Sequence, residues 1–596
     1  MKALLSSMVS LGLLTLAADA WSQAAPCNPA VSRTTLETNN VRAHYMVTGP
    51  SLSEPNTQRG FEVPKGSGKS AFSALSFWIG GIDAVGTLKV AAQTYRQAST
   101  LGLGFWAGPL NVDSATTSTG FCNLYDQIWR INANEVRNHR NNVGNAGYQV
   151  PANIANWPGN GEVAFGYDPN LAPYHDVNTN GIYDPAQGDY PKFLGDEALW
   201  MVYNDKGNAA VANKTPIGIE VQETIFAFNR SGPLSNAQFI EYKIINRSAI
   251  RLDSVFYGHF VDPALGNPND DFIGCDVARG MGFVYNTDDD DEGLDGYGVQ
   301  PPAAGLAVFR GPYSDLNDGF DNNLNGQADE LFTGCDQQAR TESMTMWNFM
   351  SFVNDPTVLG YPTTAEHAYN YLTGRWKDGQ RMVFGGDGYP GSPGATNIPA
   401  RYQFPGNSDP NGYGIGGSVT NPVSAPFNWT VPSGIPGGPN VPAASRRFVM
   451  SMGPGTLLPG AVNTYIVGAL WARATSGGAQ GSLTAMRNAK TQIQQAFDNC
   501  SIYGLNGLST SKKSLAHIRV YPNPCNDLVW IEGDDLEGQQ LQIHILNLQG
   551  KLIRKATSSF SYERRIVIDM SELETGLYVI QTKGAGSSKL FKVFKQ

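Results

Sequence analysis

Basic charge is scarce in this chain. It carries 42 Lys+Arg against 52 Asp+Glu, a formal net charge of −10, and only 16% of its 596 residues are charged. No Lys/Arg cluster offsets that balance, which argues against nucleic acid and anionic membranes as partners and favours divalent cations. Long apolar runs are missing after residue 20. A membrane-crossing helix needs about 20 consecutive apolar residues, so no transmembrane segment is expected. Conventional enzyme signatures are also absent. There is no H-E-x-x-H and no G-x-S-x-G, and the seven histidines (His44, His139, His175, His259, His367, His517, His544) are scattered. Gly66-Ser67-Gly68-Lys69-Ser70 looks like the end of a phosphate-binding loop, but Val63 stands where that pattern needs its first glycine. Nucleotide binding is not expected. A carboxylate pair for glycoside hydrolysis leaves no mark in sequence spacing, because its separation of about 5–10 Å is set by the fold.

Glycine (67), proline (36) and aromatics (11%) are plentiful instead. Turn formers, aromatics and β-branched residues with few helix-forming charges predict an all-β chain with minor α content and long loops. Lys2 precedes an apolar run from Ala3 to Ala18, and Ala18-Asp19-Ala20 offers a small-residue cleavage site. Together these describe a secretory signal peptide over residues 1–20. In an exported chain, the six cysteines (Cys27, Cys122, Cys275, Cys335, Cys500, Cys525) suggest disulfides. Six cysteines allow fifteen pairings, and these are spaced too widely for a zinc knuckle. If Cys525 is free, one of the other five is unpaired too.

Residues 21–205 read as an irregular β-rich region, punctuated by Trp78-Ile79-Gly80-Gly81, Phe105-Trp106-Ala107-Gly108-Pro109 and Asn156-Trp157-Pro158-Gly159. Residues 206–500 read as a large β-sandwich-like domain ending in a helix. Strand patterns at 239–245 and 254–260 flank a turn-like stretch, and 464–471 is apolar enough for a central strand. The terminal helix carries Leu483, Met486, Ile493 and Phe497 at helical spacing, with Ser482 as its expected cap. A weaker helix is expected over 364–372. The Gly/Pro-rich stretch 387–441 is expected as a long surface loop, and 501–514 as a polar linker.

The final segment, 515–596, contains four motifs in order. They are Val520-Tyr521-Pro522-Asn523-Pro524; Leu541-Gln542-Ile543-His544-Ile545-Leu546-Asn547-Leu548-Gln549-Gly550-Lys551; Ile568-Asp569-Met570-Ser571-Glu572-Leu573 with Gly576-Leu577-Tyr578-Val579-Ile580; and Lys589-Leu590-Phe591-Lys592-Val593-Phe594. Apolar residues at every second position, with prolines and glycines at the breaks, fit about seven short strands of an immunoglobulin-like sandwich. The order and terminal placement of the motifs resemble the type A C-terminal sorting domain of the type IX secretion system of Bacteroidota. That resemblance implies an address: recognition by the type IX secretion machinery, passage through the periplasm, and release or attachment at the cell surface. Trp78-Ile79-Gly80-Gly81-Ile82-Asp83, Gly188-Asp189-Tyr190-Pro191 and Asp270-Asp271-Phe272-Ile273-Gly274-Cys275-Asp276 are similar to large exported proteins of the same group. This second resemblance implies a location and no catalytic residues.

The strongest chemical signal is a nine-residue pattern, D-x-N-x-N-G-x-x-D, present at 176–184 and again at 321–329. It is the front half of an EF-hand-type calcium loop. Oxygens at positions 1, 3, 5 and 9 come from Asp176, Asn178, Asn180 and Asp184, then from Asp321, Asn323, Asn325 and Asp329. The main-chain carbonyls of Ile182 and Gln327 supply position 7, and glycine at position 6 permits the sharp turn. Gln187 and Phe332 stand where a bidentate glutamate belongs, with Asp189 or Glu330 as substitutes. Asn for Asp lowers the charge, so calcium affinity is expected to be weak, on the order of 10⁻⁴–10⁻³ M. Two further acidic groups, Asp262 with Asp270, Asp271 and Asp276, and the run Asp288 to Glu292, are candidates for the same use. Trp347, Trp376, Tyr389, Tyr402 and Tyr413 would stack on sugar rings if exposed, although core placement is the commoner outcome. The expected function is a non-enzymatic, calcium-stabilised structural, adhesive or glycan-binding protein. The alternative is a secreted polysaccharide hydrolase using Asp/Glu acid–base catalysis.

Overall fold

Long, almost uninterrupted apolar runs are what a strand buried on both faces requires, and they build the centre of this fold. The computed structural model describes residues 27–596 except 55–58, 96–103, 208–215, 330–331, 334–338, 432–440, 505–517, 534–539, 548–549, 560–564 and 585–586. The expected signal peptide and most of the expected linker lie outside the described residues.

Two antiparallel sheets stack face to face. The larger has the order Asp271–Asp276, Met281–Asn286, Ala303–Arg310, Val462–Ala472, Ala237–Asn246, Ile219–Ala227, Glu197–Asn204 and Trp106–Ala107, with Trp129–Asn132 also pairing on Glu197–Asn204. The smaller runs Asn348–Phe352, Arg447–Leu457, Leu252–Pro263, Phe72–Asp83 and Leu88–Ala92. The main core lies between them, with Leu199, Met201, Val221 and Val467 from one sheet meeting Phe77, Ile79, Val261 and Met450 from the other. A second core covers the outer face of the larger sheet, where Trp200, Phe226 and Phe239 pack with Met486, Ile493 and Phe497 of the helix Gly478–Asp498. Fully burying a Leu, Val or Phe side chain contributes about 1.5–3 kcal/mol, which makes this double layer the main source of stability.

The chain is thus all-β with minor helix, as its composition implies. The expected central strand at 464–471 is found between Ala303–Arg310 and Ala237–Asn246. Strands Ala237–Asn246 and Leu252–Pro263 form as expected, but the connection between them crosses from one sheet to the other. The expected boundary at 205/206 falls in the connection between Glu197–Asn204 and Ile219–Ala227, which pair with each other. Residues 72–83 likewise pair with Leu252–Pro263, so residues 27–205 and 206–500 share both sheets.

Three local readings need correction. Ser482 lies inside the helix Gly478–Asp498 and does not cap it. The hydroxyl accepts from the N–H of Ala474, while the Asp289 carboxylate accepts from the N–H of Ala479 at the helix start. An acid from a distant loop thereby meets the positive end of the helix. The stretch 387–441 is not simply a surface loop, since Tyr402, Phe404, Tyr413 and Trp429 insert into the main core. A helix over Ala133–Asn142 is present beyond those expected, N-capped by Asn132, whose side-chain oxygen accepts from the N–H of Glu135 while its amide donates to the Glu135 carboxylate. The weaker helix is present as Ala365–Leu372, capped by Thr364.

Cys27 and Cys122 form a disulfide, and Cys500 is also disulfide-bonded, whereas Cys275 and Cys525 are free and buried. The terminal segment folds as a seven-stranded sandwich with its own core. Ile518–Tyr521, Leu528–Gly533 and Arg565–Asp569 form one sheet, and Leu552–Ser559, Gln540–Asn547, Gly576–Gly584 and Ser587–Lys595 form the other.

Candidate functional site

The nine-residue pattern folds the same way twice. Asp176 accepts from the main-chain N–H of Asn180 (3.2 Å) and Gly181 (2.7 Å), and Asp321 accepts from Asn325 (3.0 Å) and Gly326 (2.8 Å). Asn178 and Asn323 accept from the N–H at position 5, at 3.1 and 2.9 Å. Asn180 and Asn325 accept in turn from Ile182 and Gln327, at 2.8 and 2.9 Å. Position 4 is left-handed in both copies (Thr179, φ 61°; Leu324, φ 62°), followed after one residue by Gly181 (φ 80°) and Gly326 (φ 97°). The glycine takes the second left-handed turn without the Cβ clash that another residue would meet.

A second carboxylate clasps each loop from outside the pattern. Asp189 accepts from the N–H of Val177 (2.7 Å) and Asp184 (3.0 Å), positions 2 and 9. Glu342 does the same work in the second copy, accepting from Asn322 (2.7 Å), Asn323 (3.1 Å) and Asp329 (2.7 Å). Both clasps are buried, and burial pushes the Asp189 carboxyl up to about 7. Asp189, expected as a substitute ligand, acts here on main-chain N–H groups. Glu342 carries no local sequence signal, and Glu330 lies outside the described residues.

The two copies differ at position 9. In the first, the Asn178 amide lies 3.2 and 3.3 Å from the two Asp184 carboxylate oxygens, and the Asn180 amide 2.9 Å from one of them, so the side chains of positions 3, 5 and 9 converge. In the second, Asp329 turns to the N–H of Gly319 at 3.2 and 3.0 Å. Rotating the Asn178 and Asn180 amides places oxygen where nitrogen now faces Asp184, and the N–H of Asn180 keeps Asp176 as acceptor. The first loop thus brings the side chains of positions 3, 5 and 9 together, whereas the second holds Asp329 against Gly319. Among the described residues, no three His, Cys, Asp or Glu side chains form a metal-holding group, so any donor set here is mixed amide and carboxylate. His175 packs its ring 4.7 Å from Tyr190, within the short strand pair beside the first loop.

Of the other acidic groups, Asp270 and Asp271 each keep one buried carboxylate oxygen without a hydrogen-bond partner, and several of the rest are engaged. Asp262 pairs with Arg447, and Asp276 with both Arg279 and Arg487. Asp291 accepts from the N–H of Asn267 and Tyr297. The run from Asp288 is thus partly structural.

One carboxylate sits where none was expected. In Ile219–Ala227, alternate residues Ile219, Val221, Ile225 and Ala227 face the main core, and Glu223 shares their face. Its carboxyl receives the hydroxyls of Tyr203 (2.9 Å) and Ser51 (3.4 Å), and burial pushes it up to about 7. His259 is also sealed there, lowered to about 3 by burial, with Nε2 3.1 Å from the Tyr465 hydroxyl. Both groups are closed between the sheets rather than presented to a ligand.

Two grooves flank the helix Gly478–Asp498. One, of about 340 Å³, is lined by Arg279, Phe309, Lys490 and Asp498; the other, of about 320 Å³, by Phe283, Tyr285, Phe404 and Arg487. Neither lining holds the pair of carboxylates that glycoside hydrolysis uses. Of the five aromatics considered for sugar stacking, Trp376, Tyr402 and Tyr413 are buried in the main core. Trp347 and Tyr389 are half-buried, the former beneath the Arg401 guanidinium at 4.0 Å.

Residues 519–596 match the family described as a secretion system C-terminal sorting domain, which agrees with the seven-stranded terminal sandwich. The chain is a cargo of the type IX secretion machinery, exported to the cell surface or the extracellular space. No helix among the described residues is long and apolar enough to cross a membrane. No curated protein matches the chain. A solved structure titled as a polysaccharide lyase shares 9% identity at a TM-score of 0.17, covering 63% of this chain. The chain spans only 34% of that protein's length, and a superposition this poor carries no argument about fold or activity.

Proposed function

We propose that the exported cargo is a non-enzymatic, calcium-stabilised β-sandwich protein that works in adhesion, matrix building or glycan binding. The observation supporting it is the repeated loop: two copies, far apart in sequence, adopt one hydrogen-bonded geometry and each is clasped by a buried carboxylate. Asp176, Asn178, Asn180, Asp184 and the Ile182 carbonyl would hold one ion. Asp321, Asn323, Asn325, Asp329 and the Gln327 carbonyl would hold the other. Bound calcium supplies positive charge against which these oxygens gather. The protein's own residues bind, orient and fix the loops on the sandwich. Surface polysaccharide or an extracellular glycan is the proposed partner.

Glycan arrays probed with the purified protein, with reducing-end release followed in parallel, separate this reading from a polysaccharide hydrolase. Binding that is lost on chelation, without turnover, is the expected result. Turnover abolished by one Asp or Glu substitution would favour the hydrolase.

A further inference from the structure

The sorting domain has two faces on its smaller sheet, and period-two alternation separates them. Ile518, Val520, Val529, Ile531, Ile566 and Ile568 point into the domain's own core. Arg519, Tyr521, Trp530, Glu532 and Arg565 occupy the opposite face, which in a free-standing domain would face water. Tyr521 and Glu532 are nevertheless buried, at 5% and 4% exposure, because this face lies against the cargo. Tyr521 belongs to the main core of the cargo, and Trp530 packs against that core.

The contacts are chemically matched. Asp168 of the cargo, with its side chain 10% exposed, stands between two guanidiniums, Arg247 of the cargo at 3.0 Å and Arg519 of the sorting domain at 3.6 Å. Arg247 is also held by Glu220, which is fully buried. The Arg565 guanidinium lies over the ring of Tyr313 at 5.4 Å, and Tyr521 meets Gly460. The group that faces the domain from the cargo is the Asp168 carboxylate, and Arg519 of the domain reaches it beside Arg247. A charge-complementary pair and an aromatic–arginine contact are features of specific protein interfaces. Burial raises the Asp168 carboxyl, but Arg247 and then Arg519 outweigh it, so the group lies below its usual range and stays charged.

We propose that the surface formed by Asp168, Arg247, Tyr313 and Gly460 is a built receptor for the chain's own sorting domain. The address is latched onto the cargo it ships, and removing the domain uncovers a charged and aromatic patch on the cargo. The latch leaves the other sheet of the domain open, with Leu590 and Phe594 exposed at 64% and 41%, as the side still available for capture during export.

Hydrogen exchange on the full-length chain tests the latch. Arg519→Glu is expected to speed exchange of Leu528–Gly533 roughly tenfold, the effect of losing about 1.4 kcal/mol of charge-assisted contact. Arg519→Lys, which keeps the charge, is expected to stay within about twofold of the unmodified chain by the same scale. A second measurement does not depend on that variant. A Cβ at Gly460 would lie 3.6 Å from Cβ of Tyr521, within the range of about 3.5–4.5 Å that a disulfide spans. Gly460→Cys with Tyr521→Cys is therefore expected to cross-link within one chain on mild oxidation, at some cost in stability because Gly460 is left-handed (φ 73°). Unchanged exchange in Arg519→Glu, together with no 460–521 cross-link, would overturn the proposal.

Discussion

Chelating calcium from the full-length protein is expected to lower the midpoint of thermal unfolding by about 3–5 °C relative to about 10 mM calcium. The magnitude follows from weak sites. At dissociation constants on the order of 10⁻⁴–10⁻³ M, about 10 mM calcium stabilises each loop by about 1.4–2.7 kcal/mol, and two loops by about 3–5 kcal/mol. A chain of this size unfolds with an entropy near 1 kcal/mol per kelvin, which converts that sum to a few degrees. Asp176→Asn and Asp321→Asn keep an acceptor for the loop N–H groups while removing a charge, so each is expected to take away about half of the shift. The first loop should dominate at low calcium, because Asn178, Asn180 and Asp184 already converge whereas Asp329 faces Gly319. Differential scanning calorimetry reads all three proteins. A midpoint indifferent to calcium would remove both loops from the account.

The second large effect concerns Glu223. Its folded value of about 7 lies above the ordinary carboxylate value of 4.5, because burial between the sheets penalises the charged form. The folded state therefore holds this proton more tightly than the unfolded chain does. The stability this contributes is complete below pH 4.5 and is lost as pH rises through about 7. Glu223→Gln preserves the contacts to Tyr203 and Ser51 without a charge to bury. It is expected to match the unmodified protein at pH 4 and to exceed it by about 3 kcal/mol at pH 8. Denaturant unfolding of both proteins across that range gives a difference curve. Asp189, also raised by burial, contributes equally to both proteins and cancels. A flat difference would mean that Glu223 is ionised and solvated in the folded protein.

Much of the terminal domain was legible because its strands turn mainly aliphatic residues to the domain's own core and mainly polar and aromatic ones away, which writes itself as alternation. The central strands were legible for the opposite reason, as continuous apolar runs such as 464–471. Alternation does not say which of two stacked sheets a strand joins, so the crossing between Asn246 and Leu252 read as a simple turn. Glu223 was hidden by its neighbours: Glu220, Gln222 and Thr224 make Ile219–Ala227 look like a strand with a wet face, whereas both of its faces are covered. The calcium-type loops were legible as local pattern, since a tight turn with ligands at fixed offsets is coded within nine residues. Their clasps were not equally so. Asp189 lies close enough to have been noticed, but Glu342 reaches Asp329 from 13 residues beyond it, and only the fold brings them together. The cap of Gly478–Asp498 failed for the same reason, because Asp289 arrives from 190 residues away.

Calorimetric titration of calcium into chelator-stripped full-length protein bears most directly on the claim that the cargo is fastened by cations. The expected result is two sites of weak affinity, reduced to one by either Asp176→Asn or Asp321→Asn. Heats no larger than dilution, in a protein that remains folded, would contradict it.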